Sequence, residues 1–342
     1  MISRQLFSLV VIALLLISGC SDVGHSTQPA LKGVNGHTMG TQYSIRWPAH
    51  YELEASDIKP SVEKLLQTIN QQMSTYQADS ELSVFNLAPA PSKHTVSQAL
   101  SGLIQESIDL HRLTDGYFDV SIGPLVNIWG FGPEEFANKA PSQEKVNTAK
   151  AQTGLEAISV DGNVVTKRQP RYVDLSAIAK GYGVDKVAEL MEQSGVQSYL
   201  VEIGGEIRTK GVKAEGKPWR IAIEKPDAQG RSVQKILNMK TTGMATSGDY
   251  RNYFEVDGQR FSHTIDPNTG YPIRHKLASV TVLDPSCARA DALATAMLVM
   301  GEAKAQDFAR QQSIPAYFII REGEGFKVSQ SPAFDNWLSV AE

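Results

Sequence analysis

Cysteine is nearly absent. The 342-residue chain holds two, Cys20 and Cys287, with no CxxC pair and no Cys/His cluster. That excludes a disulfide-stapled scaffold and a cysteine-built zinc site. Cationic excess is missing too: 33 Lys and Arg stand against 37 Asp and Glu, a formal net charge of −4. Such a chain lacks the electrostatic footprint of a nucleic-acid binder, and a polyanionic ligand would need local lysine or a metal ion. The apolar run from Leu6 to Ile17, broken only by Ser8, is too short to span a bilayer. No G-x-G-x-x-G fingerprint joins a strand to a helix, which argues against a doubly wound dinucleotide fold. Thr246-Ser247-Gly248-Asp249 lacks the flanks of a nucleophile elbow, so a serine hydrolase triad is set aside.

What is present begins at the first residues. Arg4, a short apolar core and then Ser18-Gly19-Cys20 make a secretory signal. Ile17-Ser18-Gly19-Cys20 resembles a bacterial lipobox, which implies cleavage before Cys20 and acylation of that cysteine. The expected organisation is a lipoprotein signal over 1–19, a lipid-anchored tether over 20–32 and one catalytic domain over 33–342. The expected location is the periplasmic side of the cell envelope. With Cys20 acylated no internal disulfide is possible, and Cys287 reads as a buried small apolar residue.

Alternation at Thr41, Tyr43, Ile45 and Trp47 predicts a strand. The spacing of Val62, Leu65, Leu66, Ile69 and Met73 predicts a helix over 60–73, while Ser97 and Ser142 are expected N-caps of two more. Asp161-Gly162, Asp257-Gly258 and Glu322 to Gly325 read as hairpin turns. Strands are expected at 198–203, 219–224, 234–239, 250–256, 259–265 and 278–283, and helices at 288–300 and 302–312. Strands in runs with helices between them predict a mixed α+β fold with largely antiparallel sheet.

Four segments carry chemistry. Asp174 to Asp185 reads as strand end, tight turn and helix start, with Lys180 one turn in. A helix start suits phosphate, although an N-cap at Ser176 with a solvated Lys180 fits the same residues. Asp291 and Thr295 lie four apart in an almost wholly apolar helix, so they share a face. A carboxylate there must be paired, protonated or bound to a cation, and carboxylate plus hydroxyl is a partial Mg²⁺ shell. The competing reading makes Asp291 an N-cap, with Thr295 bonding back to its carbonyl. His263 ends a strand and can act as general base; Asp266 would orient it, or else form an Asx turn with Asn268. Thr114 to Gly132 offers aromatics and glycines that either wall a flat heterocycle or pack a core. Gly204-Gly205 reads as a bulge or a close backbone approach.

Together these segments resemble the ApbE family, flavin transferases that move FMN from FAD onto a target protein. Eight pieces match in order: Thr38 to Thr41; Met73 to Tyr76 with Ser80 to Ser83; Gly116 to Asp119 through Trp129 to Gly132; Asp174 to Asp185; Ile203 to Gly205; Thr246 to Tyr250; His263 to Gly270; and Ala290 to Thr295. Glu202, Glu206 and Val84 depart from the pattern, away from the metal and diphosphate signatures. The resemblance implies a two-lobed single domain with FAD held between its lobes. It implies FAD contacts at Met39, Tyr76, Tyr117, Phe118, Asp119, Asp174, Lys180 and Ile265. It places Mg²⁺ at Asp291, Thr295 and the carbonyl of Ala177, and the base at His263, or Asp266 by default. The implied partners are FAD, an acceptor protein bearing a threonine or serine, and the membrane through Cys20. Rival readings of the same residues are a Mg²⁺-dependent FAD pyrophosphatase and an anchored flavin-binding protein.

Overall fold

The computed structural model describes residues 31–133, 139–227, 230, 232–250, 252–256 and 258–341. The signal and lipobox therefore lie outside the described residues, as does Asp257. Among the described residues no helix is long and apolar enough to cross a membrane.

The framework is an eight-stranded sheet whose spatial order follows the chain. Its strands are β1 (Leu31–Thr38), β2 (Thr41–Pro48), β3 (Tyr199–Ile203), β4 (Glu206–Lys210), β5 (Thr242–Gly248), β6 (Leu277–Asp284), β7 (Ala316–Glu322) and β8 (Gly325–Gln330). Every neighbouring pair is antiparallel. Strand β1 takes up Leu31 and Lys32, at the end of the stretch expected as tether.

The described helices are α1 (Ala55–Met73), α2 (Glu81–Leu87), α3 (Gln98–Leu113), α4 (Gly123–Ile128), α5 (Gln143–Lys150), α6 (Ala179–Gln193), α7 (Cys287–Met300), α8 (Glu302–Gln311) and α9 (Pro332–Ala341). Helix α1 starts five residues before the expected 60, so Pro60 lies inside it. Ser97 and Ser142 cap α3 and α5 by accepting from Leu100 N and Lys145 N. The turn at Asp161-Gly162 joins Ile158–Asp161 to Val164–Lys167, and strand Ser92–Thr95 completes that small sheet.

Both faces of the large sheet are covered. Ala245, Val280, Val282, Phe318 and Ile320 pack with Ala288, Ala292 and Leu293 of α7 on one face. Met244, Leu283, Tyr317 and Ile319 pack on the other with Phe334 of α9 and the hairpin Trp219–Glu224/Val233–Met239. Burial on both faces leaves β6 buried without a break from Leu277 to Leu283, Ser279 and Thr281 included. A separate cluster joins Leu125, Trp129, Val146, Phe261 and Ile265, with Trp129 stacked on Phe261 at 5.4 Å between centroids.

The first half of α6 is locked to the start of α7. Asp185 of α6 accepts from Cys287 N (3.1 Å), Ala288 N (3.0 Å) and Ser286 Oγ (3.0 Å), capping α7 from outside it. Gly181 permits the approach: a Cβ there would sit 2.4 Å from the Cys287 carbonyl oxygen. Cys287 is fully buried, as expected.

Candidate active site

Buried charge concentrates where α6, α7 and the β3–β4 hairpin meet. The Asp291 side chain is almost wholly buried, and its Oδ2 accepts from Gly181 N at 3.2 Å. Its Oδ1 is 3.9 Å from Lys180 Nζ, which lies 2.7 Å from Glu206 Oε1. Glu206 is 3% exposed, and its Oε2 is buried without a hydrogen-bond partner. Burial, reinforced by Glu206, pushes the Asp291 carboxyl up to about 7 against the pull of Lys180. Burial also opposes the Lys180 charge, but Asp291 and Glu206 outweigh it and hold the ammonium above its ordinary range. One turn on from Asp291, Thr295 Oγ1 shares a 2.9 Å hydrogen bond with Ser247 Oγ of β5.

The N-cap of α7 is Ser286, which removes the reading of Asp291 as a cap. Ser176 is likewise not the cap of α6. Its N–H (2.9 Å) and Oγ (2.5 Å) both donate to Asp174 Oδ1, and α6 begins beyond it with no side-chain cap. Its first amides are nonetheless engaged, Ala179 N by the Leu175 carbonyl at 2.8 Å and Gly181 N by Asp291, so an anion here would meet Lys180 rather than a row of free N–H groups. Half-buried Ala177 lies in the turn between Asp174 and α6.

His263 is half-buried on the loop after strand Gln259–Ser262, and its Nδ1 lies 3.0 Å from the Asn252 carbonyl oxygen. Donation to that carbonyl requires the proton on Nδ1 and leaves Nε2 as acceptor. Burial lowers its pKa below the usual 6.5, the Lys180 charge helps, and the Asn252 carbonyl and Asp249 oppose. Asp266 does not orient the ring: its Oδ1 accepts from Asn268 N at 2.9 Å, which is the Asx turn. Asp266 and Thr269 instead line an open cavity of about 480 Å³, together with Tyr271, Ile273, His275 and Val299.

The other expected FAD contacts divide into exposed and structural. Tyr76 is 67% exposed, its hydroxyl donates to the Phe131 carbonyl at 3.3 Å, and burial plus the nearby Asp174 raise its pKa. The Tyr117 hydroxyl accepts from Lys304 Nζ at 2.5 Å. Met39 sits at positive φ (49°) in the β1–β2 turn, against Gly183 of α6. Phe118 and Ile265 are core side chains, so any ligand contact from Phe118 runs through its backbone. Asp119 Oδ1 accepts from Ser121 N (2.7 Å) and Oγ (2.6 Å); burial raises its pKa although these bonds and His111 oppose it. Of the aromatics expected to wall a heterocycle, Phe118 and Trp129 pack the core instead.

Two readings are corrected at the hairpin. Gly204-Gly205 is not a bulge but the two-residue turn of β3–β4, with φ of 62° and 107°, and the expected close backbone approach holds at Gly204, whose N donates to the Gln42 carbonyl at 3.0 Å. Glu206, set apart from the phosphate and metal signatures on sequence, directly contacts Lys180. Once β4 is in place the reason is plain: a carboxylate at the buried start of a strand must find a cation.

Mg²⁺ fits this donor set. Asp291 carboxylate, Thr295 hydroxyl and Ala177 carbonyl are hard oxygens. Two carboxylates against one ammonium leave negative charge in the pocket, and Glu206 Oε2 has no donor. Among the described residues no three His, Cys, Asp or Glu form a metal cluster, so a cation here would lean on substrate oxygens.

Comparison with known proteins places the chain in a family. A sequence model of the ApbE family matches residues 39–318. The FAD:protein FMN transferase of Vibrio cholerae is 46% identical over 329 residues, covering 96% of this chain and 97% of that protein. That of Escherichia coli K12 is 40% identical over 319 residues, covering 92% and 90%. Among solved structures, the flavin transferase ApbE from Vibrio cholerae superposes with a TM-score of 0.84 at 45% identity, over 90% of this chain and 99% of that one. The ApbE protein from Thermotoga maritima gives 0.81 at 29% identity, over 90% and 99%.

Proposed function

This chain belongs to the ApbE family, an FMN transferase that takes FMN from FAD to a target protein, and we propose that the acceptor is a threonine or serine hydroxyl and that AMP is released. The supporting observation is the partly exposed Lys180 ammonium held between buried Glu206 and Asp291 at the start of α6, within a chain similar to flavin transferases along almost its whole length.

In this reading Asp174 and the start of α6 address the dinucleotide, and Lys180 neutralises a diphosphate oxygen. The acceptor hydroxyl attacks the FMN-side phosphorus. A phosphoester forms, the bond to the AMP phosphate breaks, and the hydroxyl proton passes to His263 Nε2. Such general-base help is worth about 10²–10⁴-fold. Asp291, Thr295 and the Ala177 carbonyl would hold Mg²⁺, which when bound stabilises charge on the diphosphate oxygens. The lipobox-like Ile17 to Cys20 supports anchoring through an acylated Cys20 on the periplasmic side of the envelope.

The test is direct. Purified protein, FAD, Mg²⁺ and a candidate acceptor domain should give covalently flavinylated acceptor and AMP, measured by mass spectrometry and chromatography. EDTA or Asp291→Ala should abolish the product. Equal release of AMP and free FMN without acceptor would establish a pyrophosphatase instead.

A further inference from the structure

Lys180 and Asp291 have separate tasks in the proposed reaction, one on a phosphate and one on a cation, yet they stand close enough to neutralise each other. We propose that Glu206 is the positioning residue that prevents this, holding the Lys180 ammonium so that Asp291 stays open to a divalent cation. The inference rests on the cation reading given above.

The geometry is asymmetric. Lys180 Nζ is at hydrogen-bond distance from Glu206 Oε1, 2.7 Å, but only within ion-pair range of Asp291 Oδ1, 3.9 Å. Glu206 is well placed to hold it. It is the first residue of β4, directly after the glycine turn, and is paired in register with Ile203. The Lys180 stem lies against that turn: a Cβ on Gly204 would come 3.4 Å from Lys180 Cδ and 2.8 Å from Thr41 Cγ2. The second oxygen of Glu206 is buried and unpartnered, an independent sign that the cluster lacks a positive partner. With both carboxylates ionised, two of them sharing one ammonium carry a net negative charge that favours a cation. Without Glu206, Lys180 and Asp291 would form a neutral pair and that preference would vanish.

Mn²⁺ binding to the purified protein, without FAD or acceptor, tests this through loss of the free Mn²⁺ paramagnetic signal. Glu206→Ala should weaken binding about 10–100-fold, the range for residues that support metal ligands. Its melting temperature without metal should hold or rise, while the upshift on adding Mn²⁺ should disappear. Glu206→Gln, nearly isosteric, should weaken binding in the same direction. Lys180→Met in the Glu206→Ala background should bind Mn²⁺ more tightly than Glu206→Ala alone, because the competing ammonium is gone. Unchanged binding in Glu206→Ala and Glu206→Gln, or no recovery in the double variant, overturns the role of Glu206. Wild-type protein that takes up no Mn²⁺ overturns the cation reading together with it.

Discussion

His263 is the residue whose behaviour with pH is most sharply constrained. Burial disfavours its charged form, and the Asn252 carbonyl selects the tautomer with Nε2 free. Its folded pKa lies below the unfolded value of about 6.5, so the folded protein binds the proton less readily. Its stability contribution is complete above about 6.5 and is lost as pH falls below that value. The same protonation removes the base, so kcat/KM should fall on the acid side with a midpoint below 6.5. His263→Ala should lower the rate about 10²–10⁴-fold and abolish that acid limb, as a pH–rate profile would show. An acid limb unchanged in His263→Ala would assign the base elsewhere. The i, i+4 spacing made Asp291 and Thr295 legible in sequence because a single helix sets it. The Lys180–Glu206 contact was not legible, because it depends on which strand the hairpin lays beside α6. Nor was the Asn252 carbonyl, since a backbone acceptor leaves no trace in residue identity.

Among elements, the α6–α7 pair carries the most consequence. Gly181→Ala would drive a methyl into the Cys287 carbonyl, a backbone group that cannot swing aside. It should cost about 1–3 kcal/mol, measurable by urea denaturation, and should weaken Mn²⁺ binding by displacing the amide on Asp291. Asp185→Ala should also cost about 1–3 kcal/mol, since the buried Cys287 and Ala288 N–H groups lose their acceptor and Arg208 keeps only its longer pair with Glu192. A melting temperature unchanged in Asp185→Ala would refute this account of the junction. Helices with a clear stripe or a serine cap were legible, as α3 and α5 show. Strands β4 and β5 were not. Thr242 to Gly248 is made of small residues buried on two faces, so no period of two survives. Helix α9 was missed although its start is written in the sequence: Ser331 precedes Pro332, and its Oγ accepts from Phe334 N at 3.2 Å.

At the scale of the whole molecule, the antiparallel sheet was legible as a class, but its chain-ordered arrangement was not. Sequence patterns mark strands and leave unstated which are neighbours. Ligand should tie the assembly together. FAD with Mg²⁺ should raise the unfolding midpoint, by about 2.7 kcal/mol of stabilisation at 100 times the dissociation constant, and EDTA should remove the cation's share. Calorimetry showing no shift would place the dinucleotide site elsewhere. The wide sequence separation of the pocket's parts has one more outcome. Asp185 caps a helix that begins about a hundred residues later, and Lys180 meets partners from β4 and α7. Contacts of that span form late in folding, after the loops between them have closed. An incompletely folded chain therefore presents these residues as scattered, solvated charges and leaves FAD intact. Activity doubles as a proofreading signal: only a molecule that has brought the middle and the end of its sequence together can spend its substrate.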